Sequence, residues 1–395
     1  MRTWLSRNLL VLSLVSLTQD AASDFLYPLL PLVLTGLLAA PPVVVGLVEG
    51  IADATAGITR YFAGRWSDTR GRKVFIGFGY TLAAIGKVFV AAAISWPLVL
   101  VGRVIDRFGK GVRSAPRDAL IAASVPKYAL GRAFGFHRAA DSFGAVIGPM
   151  LGLLALTLAD GDVRKVLWFA VIPAALSAVL VILVRTPEEE LAQRQARMEQ
   201  RLERKRIKPT MPSKFWWVVS ALVAVSVINF SDALVLLRLM DLGFSTTHVV
   251  LGYVVYNSVY TIASYPAGVL TDKWPPLYAY AIGLIAFGVS YLGLGLIDGG
   301  PVAFLLMGVG GLFPAFTDGV GKAWIAAIVP ADHRGRGQGL FQAWNAGAVL
   351  LAGTWAGLFW TAGGGKGTIP LMLSGTLAFV AVAVLLALRN RLNGD

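Results

Sequence analysis

Between Pro97 and Pro126 the chain reads PLVLVGRVIDRFGKGVRSAPRDALIAASVP. The run is long enough to cross a bilayer and apolar at both ends, yet its middle carries Arg103, Asp106, Arg107, Lys110, Arg113, Arg117 and Asp118. On a helix turning about 100° per residue, Arg103, Asp106, Arg107, Lys110, Arg113 and Arg117 fall within an arc of roughly 120°. Val104, Ile105, Phe108 and Val112 occupy the other side. A charge facing lipid at mid-depth costs from about 3 kcal/mol to more than 10. Such a face is tolerated only where it lines water, a ligand or partner charges. The expectation is one wall of a polar cavity inside a membrane protein.

Composition agrees. Hydrophobic residues make up 56% of the 395 and charged ones 14%, against about 25% charged in a soluble domain. The net charge of +13 invites a nucleic-acid partner. Lys and Arg, however, gather in short segments between apolar runs, as in membrane proteins, so the lipid bilayer is the expected partner and nucleic acid is not. Without cysteine there is neither a disulfide nor a thiolate metal site. No cofactor or resident metal is expected, and the absence of a nucleotide loop, metal-hydrolase helix or nucleophile elbow argues against an enzyme. The N-terminus imitates a signal peptide, with Arg2 and Arg7 before an apolar run and then Ala21-Ala22-Ser23. Its apolar character continues to Leu34, which reads as a retained first helix.

A crossing needs about 20 mostly apolar residues. Twelve candidates stand near 8–35, 42–64, 74–94, 98–123, 131–158, 165–184, 215–238, 247–269, 277–297, 301–328, 337–361 and 368–388. Lys and Arg cluster between spans two and three, in the central segment and between spans ten and eleven, so both termini are expected in the cytoplasm. The domain expectation is a six-helix bundle over 1–186, a hydrophilic and possibly helical linker over 187–213, and a second six-helix bundle over 214–395. The halves repeat. Ala119–Pro126 matches Ala323–Pro330, and at the same spacing Gly131-Arg132 matches Gly335-Arg336, Gly135 matches Gly339, Asp141 faces Asn345, and Gly64 and Asp68 match Gly268 and Asp272. Two parallel repeats imply a substrate site between them near mid-membrane.

Gly64-Arg-Trp-Ser-Asp68-Thr-Arg70-Gly71-Arg72-Lys73 resembles the cytoplasmic loop signature G-x-x-x-D-R-x-G-R-K of the major facilitator superfamily, with Thr69 in place of the arginine. Gly71 would permit a tight turn. Arg103-Val-Ile-Asp106-Arg107-Phe-Gly109 is similar to that family's fourth-helix motif R-x-x-Q-G-x-G, with Asp106 and Arg107 as departures. From Gly135 through Gly144, Gly148, Pro149 and Gly152 the chain follows the fifth-helix pattern associated with antiporters, Leu153 replacing its last glycine. The resemblance implies an all-α membrane protein of twelve transmembrane helices in two pseudo-symmetric six-helix bundles. It further implies alternating access, with Gly64, Asp68, Arg72, Gly148 and Pro149 in gating.

Asp20 and Asp24 lie one turn apart, about 16–22 Å from the cytoplasmic end of the first helix, and Glu49 and Asp53 repeat the spacing in the second. A carboxyl group held away from water can load and release a proton near neutral pH, so these four are the proton-coupling candidates. Each could equally be a partner for the cationic fourth helix. Substrate-binding candidates are Arg103, Asp106, Arg107, Lys110, Arg113, Arg138, Asp141, Asn229 and Asp232. The basic members favour an anion or zwitterion, whereas the acids could hold a cation, including a hard metal ion as cargo. The leading expectation is a monomeric, proton-coupled antiporter of a bacterial inner membrane, expelling a small charged or amphipathic solute. The alternatives are an importer or uniporter of an organic anion, an exporter of a hard metal cation or its chelate, and, remotely, a non-transporting receptor.

Overall fold

The computed structural model describes residues 5–125, 130–185, 211–329 and 334–393, and within helices some side chains also lie outside the described set. The helices are α1 (Arg7–Leu26), α2 (Pro42–Arg70), α3 (Arg72–Ala91), α4 (Trp96–Ala123), α5 (Leu130–Leu158), α6 (Val163–Phe169), α7 (Val171–Leu180), α8 (Ser213–Ile228), α9 (Asp232–Asp241), α10 (Thr246–Lys273), α11 (Pro276–Leu296), α12 (Val302–Ile328), α13 (Arg334–Ala362), α14 (Thr368–Ala387) and α15 (Arg389–Asn393). Among the described residues nine helical segments are long and apolar enough to cross a membrane; α4, with its charges, is not one of them.

The repeat seen in the sequence recurs in the helix bounds. Those of α5, Leu130–Leu158, return 204 positions later in α13, Arg334–Ala362. The bounds of α2, α3 and α4 return at the same spacing, to within about two residues, in α10, α11 and α12. The architecture is all-α, with two pseudo-symmetric sets of six crossing segments.

Three crossings that read as continuous are jointed. In the first, α1 ends at Leu26 and is followed by a 3-10 turn, Tyr27–Leu29, and a π turn, Leu32–Leu37. Pro28 and Pro31 lack the amide hydrogen that would continue an α-helix. In the sixth, α6 and α7 meet at Ala170, three residues before Pro173. In the seventh, expected over 215–238, α8 stops at Ile228, Asn229 leaves the helical region (φ −98°, ψ 91°), and Ser231 caps α9 by accepting from the Ala233 amide at 3.3 Å. The carbonyls released by this break find side-chain donors. Trp355 Nε1 donates to Val227 O at 2.8 Å, Ser374 Oγ to Ile228 O at 2.8 Å, and Tyr291 Oη to Phe230 O at 3.5 Å. A broken backbone at membrane depth is tolerated on this condition.

The chain forms two compact units, one of Met1–Tyr27 and Thr55–Lys208, the other of Pro28–Ala54 and Pro209–Asp395. In the first, α3 packs along α4 and α1 along α5; in the second, α12 packs on α10 and α11, and α14 on α11. The expected linker, 187–213, lies almost wholly outside the described residues. Pro28–Ala54 falls in the second unit through close backbone packing: a Cβ on Gly46 would collide with the carbonyl oxygen of Gly353, and the reverse holds too. Gly347, one helical stretch earlier, has open space around it.

Gly353→Ala is therefore expected to lower the melting temperature of the purified protein, at an overpacking cost of about 1–3 kcal/mol. Gly347→Ala should be neutral, or stabilising by up to about 1 kcal/mol through helix propensity.

Candidate functional site

The charged face of α4 is turned into the first unit. Arg103, Asp106 and Arg113 are buried, while Val101 and Phe108 are exposed on the back; Val112, expected on that back, is buried as well. The α3–α4 seam is close because glycines meet there: a Cβ on Gly86 would lie 2.5 Å from Gly102 O and 2.9 Å from Asp106 Cβ. Lys87, the residue after Gly86, thereby reaches Asp106. Its Nζ is 3.3 Å from Asp106 Oδ1 and donates to Ser23 Oγ at 3.2 Å. Arg103 Nη1 stands 3.5 Å from Asp106 Oδ2, and its guanidinium lies 5.9 Å from the ring centre of Tyr27. Arg113 donates to Gly79 O at 3.4 Å and lies over the Tyr80 ring at 4.5 Å. Both oxygens of Asp106 are thus engaged by fixed cations.

One turn further along, the pairing is looser. Arg117 donates to Ser16 Oγ at 2.7 Å and to Asp118 Oδ1 at 3.1 Å, and its Nη2 is 4.0 Å from Asp141 Oδ2. α5 brings Asp141 to α1 across a glycine crossing, where a Cβ on Gly144 would lie 2.6 Å from Leu17 O and one on Gly148 2.5 Å from Ala21 O. Asp20 borders this crossing, within electrostatic reach of Asp141, Lys110, Arg117 and Arg113. His137 shares a hydrogen bond between Nδ1 and Ser13 Oγ at 3.2 Å, and its Nε2 faces Asp141 Oδ1 at 3.7 Å. Both of those facing atoms are buried and make no hydrogen bond among the described residues. One imidazole and one carboxylate are held just beyond bonding distance, where a single proton could join them.

The other expected residues divide between the units. Arg107 and Lys110 are half-buried and Arg138 is exposed. Asp24 is half-buried in the first unit, whereas Glu49, fully buried, and Asp53, half-buried, belong to the second. Arg72 is buried and donates to Ala119 O at 3.3 Å, and Gly71 before it has φ 97°, the tight turn expected there. Gly64 and Asp68 lie in the last turns of α2, and their surroundings are outside the described set. Pro149 is buried within α5. In the second unit Asn229 and Asp232 line a small cavity with Tyr256, Phe287, Tyr291 and Phe313. Tyr256 Oη donates to Asp232 Oδ1 at 3.3 Å.

Sequence reasoning missed Lys87, Ser16 and Tyr80. A lone lysine inside an otherwise apolar span was itself the signal for the first. It also left Arg238 unplaced. That side chain donates to the carbonyls of Leu294 (2.9 Å), Ile297 (2.9 Å), Gly295 (3.5 Å) and Lys366 (2.5 Å), and so ties α9 to the end of α11.

The family model described as Major Facilitator Superfamily matches residues 12–258 and 235–394. The chain belongs to the major facilitator superfamily. An uncharacterised MFS-type transporter of Methanocaldococcus jannaschii is 29% identical over 363 residues, 90% of this chain and 89% of that protein. A triacylglyceride transporter of Mycolicibacterium smegmatis is 30% identical over 149 residues, 38% of this chain and 25% of that protein. Among solved structures, a bacterial homologue of the human lysosomal transporter Spinster, inward-facing and occupied, superposes with a TM-score of 0.78 at 16% identity, covering 97% of this chain and 96% of that one. A D-xylose–proton symporter does so at 0.72 and 18%, covering 95% and 96%. The chain is accordingly a multi-pass integral membrane protein and a secondary transporter of the MFS kind, not an enzyme.

Removing one partner of a buried ion pair costs about 3–5 kcal/mol. Lys87→Met and Asp106→Asn are each expected to lower the melting temperature. The double variant should lose less than the sum of the two, with a coupling of about 1–3 kcal/mol in thermal unfolding of the detergent-purified protein.

Proposed function

We propose that this MFS transporter is a proton-coupled antiporter that expels a small charged or amphipathic solute by alternating access. The observation that carries the reading is the facing pair of buried, unbonded atoms, His137 Nε2 and Asp141 Oδ1, beside Arg117 and Asp20. A buried polar pair with no hydrogen bond is costly unless it is used. In this proposal Asp141 accepts the proton, with His137 beside it and Asp20 as the second acid, and Asp24 nearby on α1. Protonation removes one of the negative charges that Arg117 faces, leaving it to Asp118 and Ser16. A local charge change of this kind biases two conformations differently. Glu49 and Asp53 are a separate acidic pair in the second unit.

Within the first unit the half-buried Arg107 and Lys110 and the exposed Arg138 are the proposed solute-facing groups. Arg103, Asp106 and Arg113, which are more deeply buried, are proposed to hold α4 in place. Gly64, Asp68 and Arg72 are proposed to latch the loop after α2, and Gly148 and Pro149 to shape the α1–α5 crossing during gating. The resemblance of Gly144–Gly152 to the antiporter pattern supports export, and the Lys/Arg distribution supports cytoplasmic termini. The protein is proposed to act as a monomer in a bacterial inner membrane.

Asp141→Asn is expected to remove a carboxyl C=O band from the acid-minus-alkaline infrared difference spectrum of the purified protein. In proteoliposomes it should abolish solute movement driven by a pH gradient while sparing exchange of solute for solute. A panel of organic cations, anions and zwitterions supplies the solute. Transport by the unsubstituted protein that ignores an imposed pH gradient would remove proton coupling from the reading.

A further inference from the structure

The cavity in the second unit has a composition that the proton-handling cluster does not explain. Its volume is about 10 Å³, room for one water-sized group. Among the described residues its lining carries one acid, Asp232, and no base; the rest is the Asn229 amide, four aromatic rings, Ser290, Met307, Val235 and Gly310. The rings are packed on each other, with Phe287 stacked on Tyr291 at 3.8 Å between centres and tilted against Phe313 at 4.9 Å. Asn229 and Asp232 reach the cavity because the α8–α9 break sits between them, and that break is fixed by Trp355, Ser374 and Tyr291.

We propose that this cavity is a binding site for a primary ammonium group, the cationic end of an amine-bearing solute. The volume suits the –NH3+ group alone, which is about the size of water, so an alkyl chain on it must extend beyond the cavity. The walls suit it as well: ring faces attract cations, the more strongly where water is excluded. Asp232 supplies a carboxyl group, whose charge when ionised outweighs the roughly half-unit positive end of α9. Tyr256 Oη, Ser290 Oγ and the Asn229 carbonyl oxygen are the acceptors available for the N–H groups. Ser290 spends its own proton on Leu306 O at 2.8 Å, which leaves its lone pairs for a donor. An inorganic cation such as Na+ prefers a shell of oxygen ligands rather than aromatic walls.

The proposal names a solute class for the transport reading but does not depend on proton coupling, because binding in detergent is read without a gradient. The experiment is a thermal-shift and calorimetric titration of the full-length purified protein. The probes are n-butylammonium, uncharged butan-1-ol and Na+. Butylammonium should raise the melting temperature in a saturable way, and butan-1-ol and Na+ should not. Asp232→Asn should weaken butylammonium binding by about tenfold or more. A second variant covers the case in which that one folds poorly. Gly310→Ala keeps every charge but places a methyl group 2.8 Å from Ser290 Oγ, filling the cavity, and should abolish the shift. The proposal is overturned if butan-1-ol or Na+ stabilises as well as butylammonium, if none of the three binds, or if butylammonium binding survives Gly310→Ala. Binding that persists while transport ignores a pH gradient would sink the antiport reading and leave this site standing.

Discussion

A charge can reside at membrane depth only when the protein supplies its partners, and α4 shows what that demands of its neighbours. Moving two ions out of water costs several kcal/mol each even after relaxation. Asp106 recovers that cost because Lys87 and Arg103 engage separate oxygens, at 3.3 and 3.5 Å, in a region with almost no solvent. Lys87 reaches it only because α3 and α4 approach until Gly86 and Gly102 nearly touch. A small-residue seam and a buried ion triad are therefore one device, in which the glycines set the distance and the charges require it. Further along the same face, Arg117, one turn beyond Arg113, is held by other elements, through Ser16 on α1 and Asp141 on α5.

The joints in the crossings follow the same accounting of polar groups, now for the backbone. The first crossing breaks after Leu26 and the seventh after Ile228, near equivalent positions of the two repeats. Prolines cause the first break. The second has no proline, and uses Asn229 and the Ser231 cap instead. Its freed carbonyls accept from an indole, a hydroxyl and a phenol, so the break is locked by tertiary donors rather than left to flex. Discontinuous helices with polar ends carry polar chemistry in many transporter folds, and the break before α9 is what sets Asp232 beside the cavity.

Much of this was legible in one dimension. Hydropathy marked the crossings, a constant spacing marked the repeat, and the 100° wheel marked the inward face of α4, because all three are periodic signals. The joints were written at Pro28, Pro31 and Pro173 and at Asn229–Ser231, but averaging over a span's length hides a break of three residues. Asp20, Asp24, Glu49 and Asp53 read as one set because their spacing repeats. Their division between units depends on which backbones touch, and the Gly46–Gly353 approach leaves no periodic mark. A wheel also cannot separate Arg103, which is buried, from Arg107, half-buried on the same arc. Nor can it show Lys87, the second cation on Asp106, which comes from another helix.

The acids of this molecule can be ordered by how replaceable their partners are. Asp106 holds two cations, Lys87 and Arg103, and giving either up would leave a buried charge short of a partner, which is why its proposed part is structural. Asp141 faces a guanidinium at 4.0 Å and an imidazole at 3.7 Å, neither within hydrogen-bonding distance, so adding a proton there gives up a long ion pair but breaks no hydrogen bond. Asp232 accepts from a neutral phenol at 3.3 Å, a contact it can keep whether or not a cation enters the cavity. A transporter must release what it binds, and release is cheap only where the site retains a hydrogen bond after its ligand leaves. By that criterion the groups proposed to work are those with long or exchangeable contacts, such as Asp141. The charges locked together at the α3–α4 seam, Lys87, Arg103 and Asp106, are the ones proposed to stay fixed.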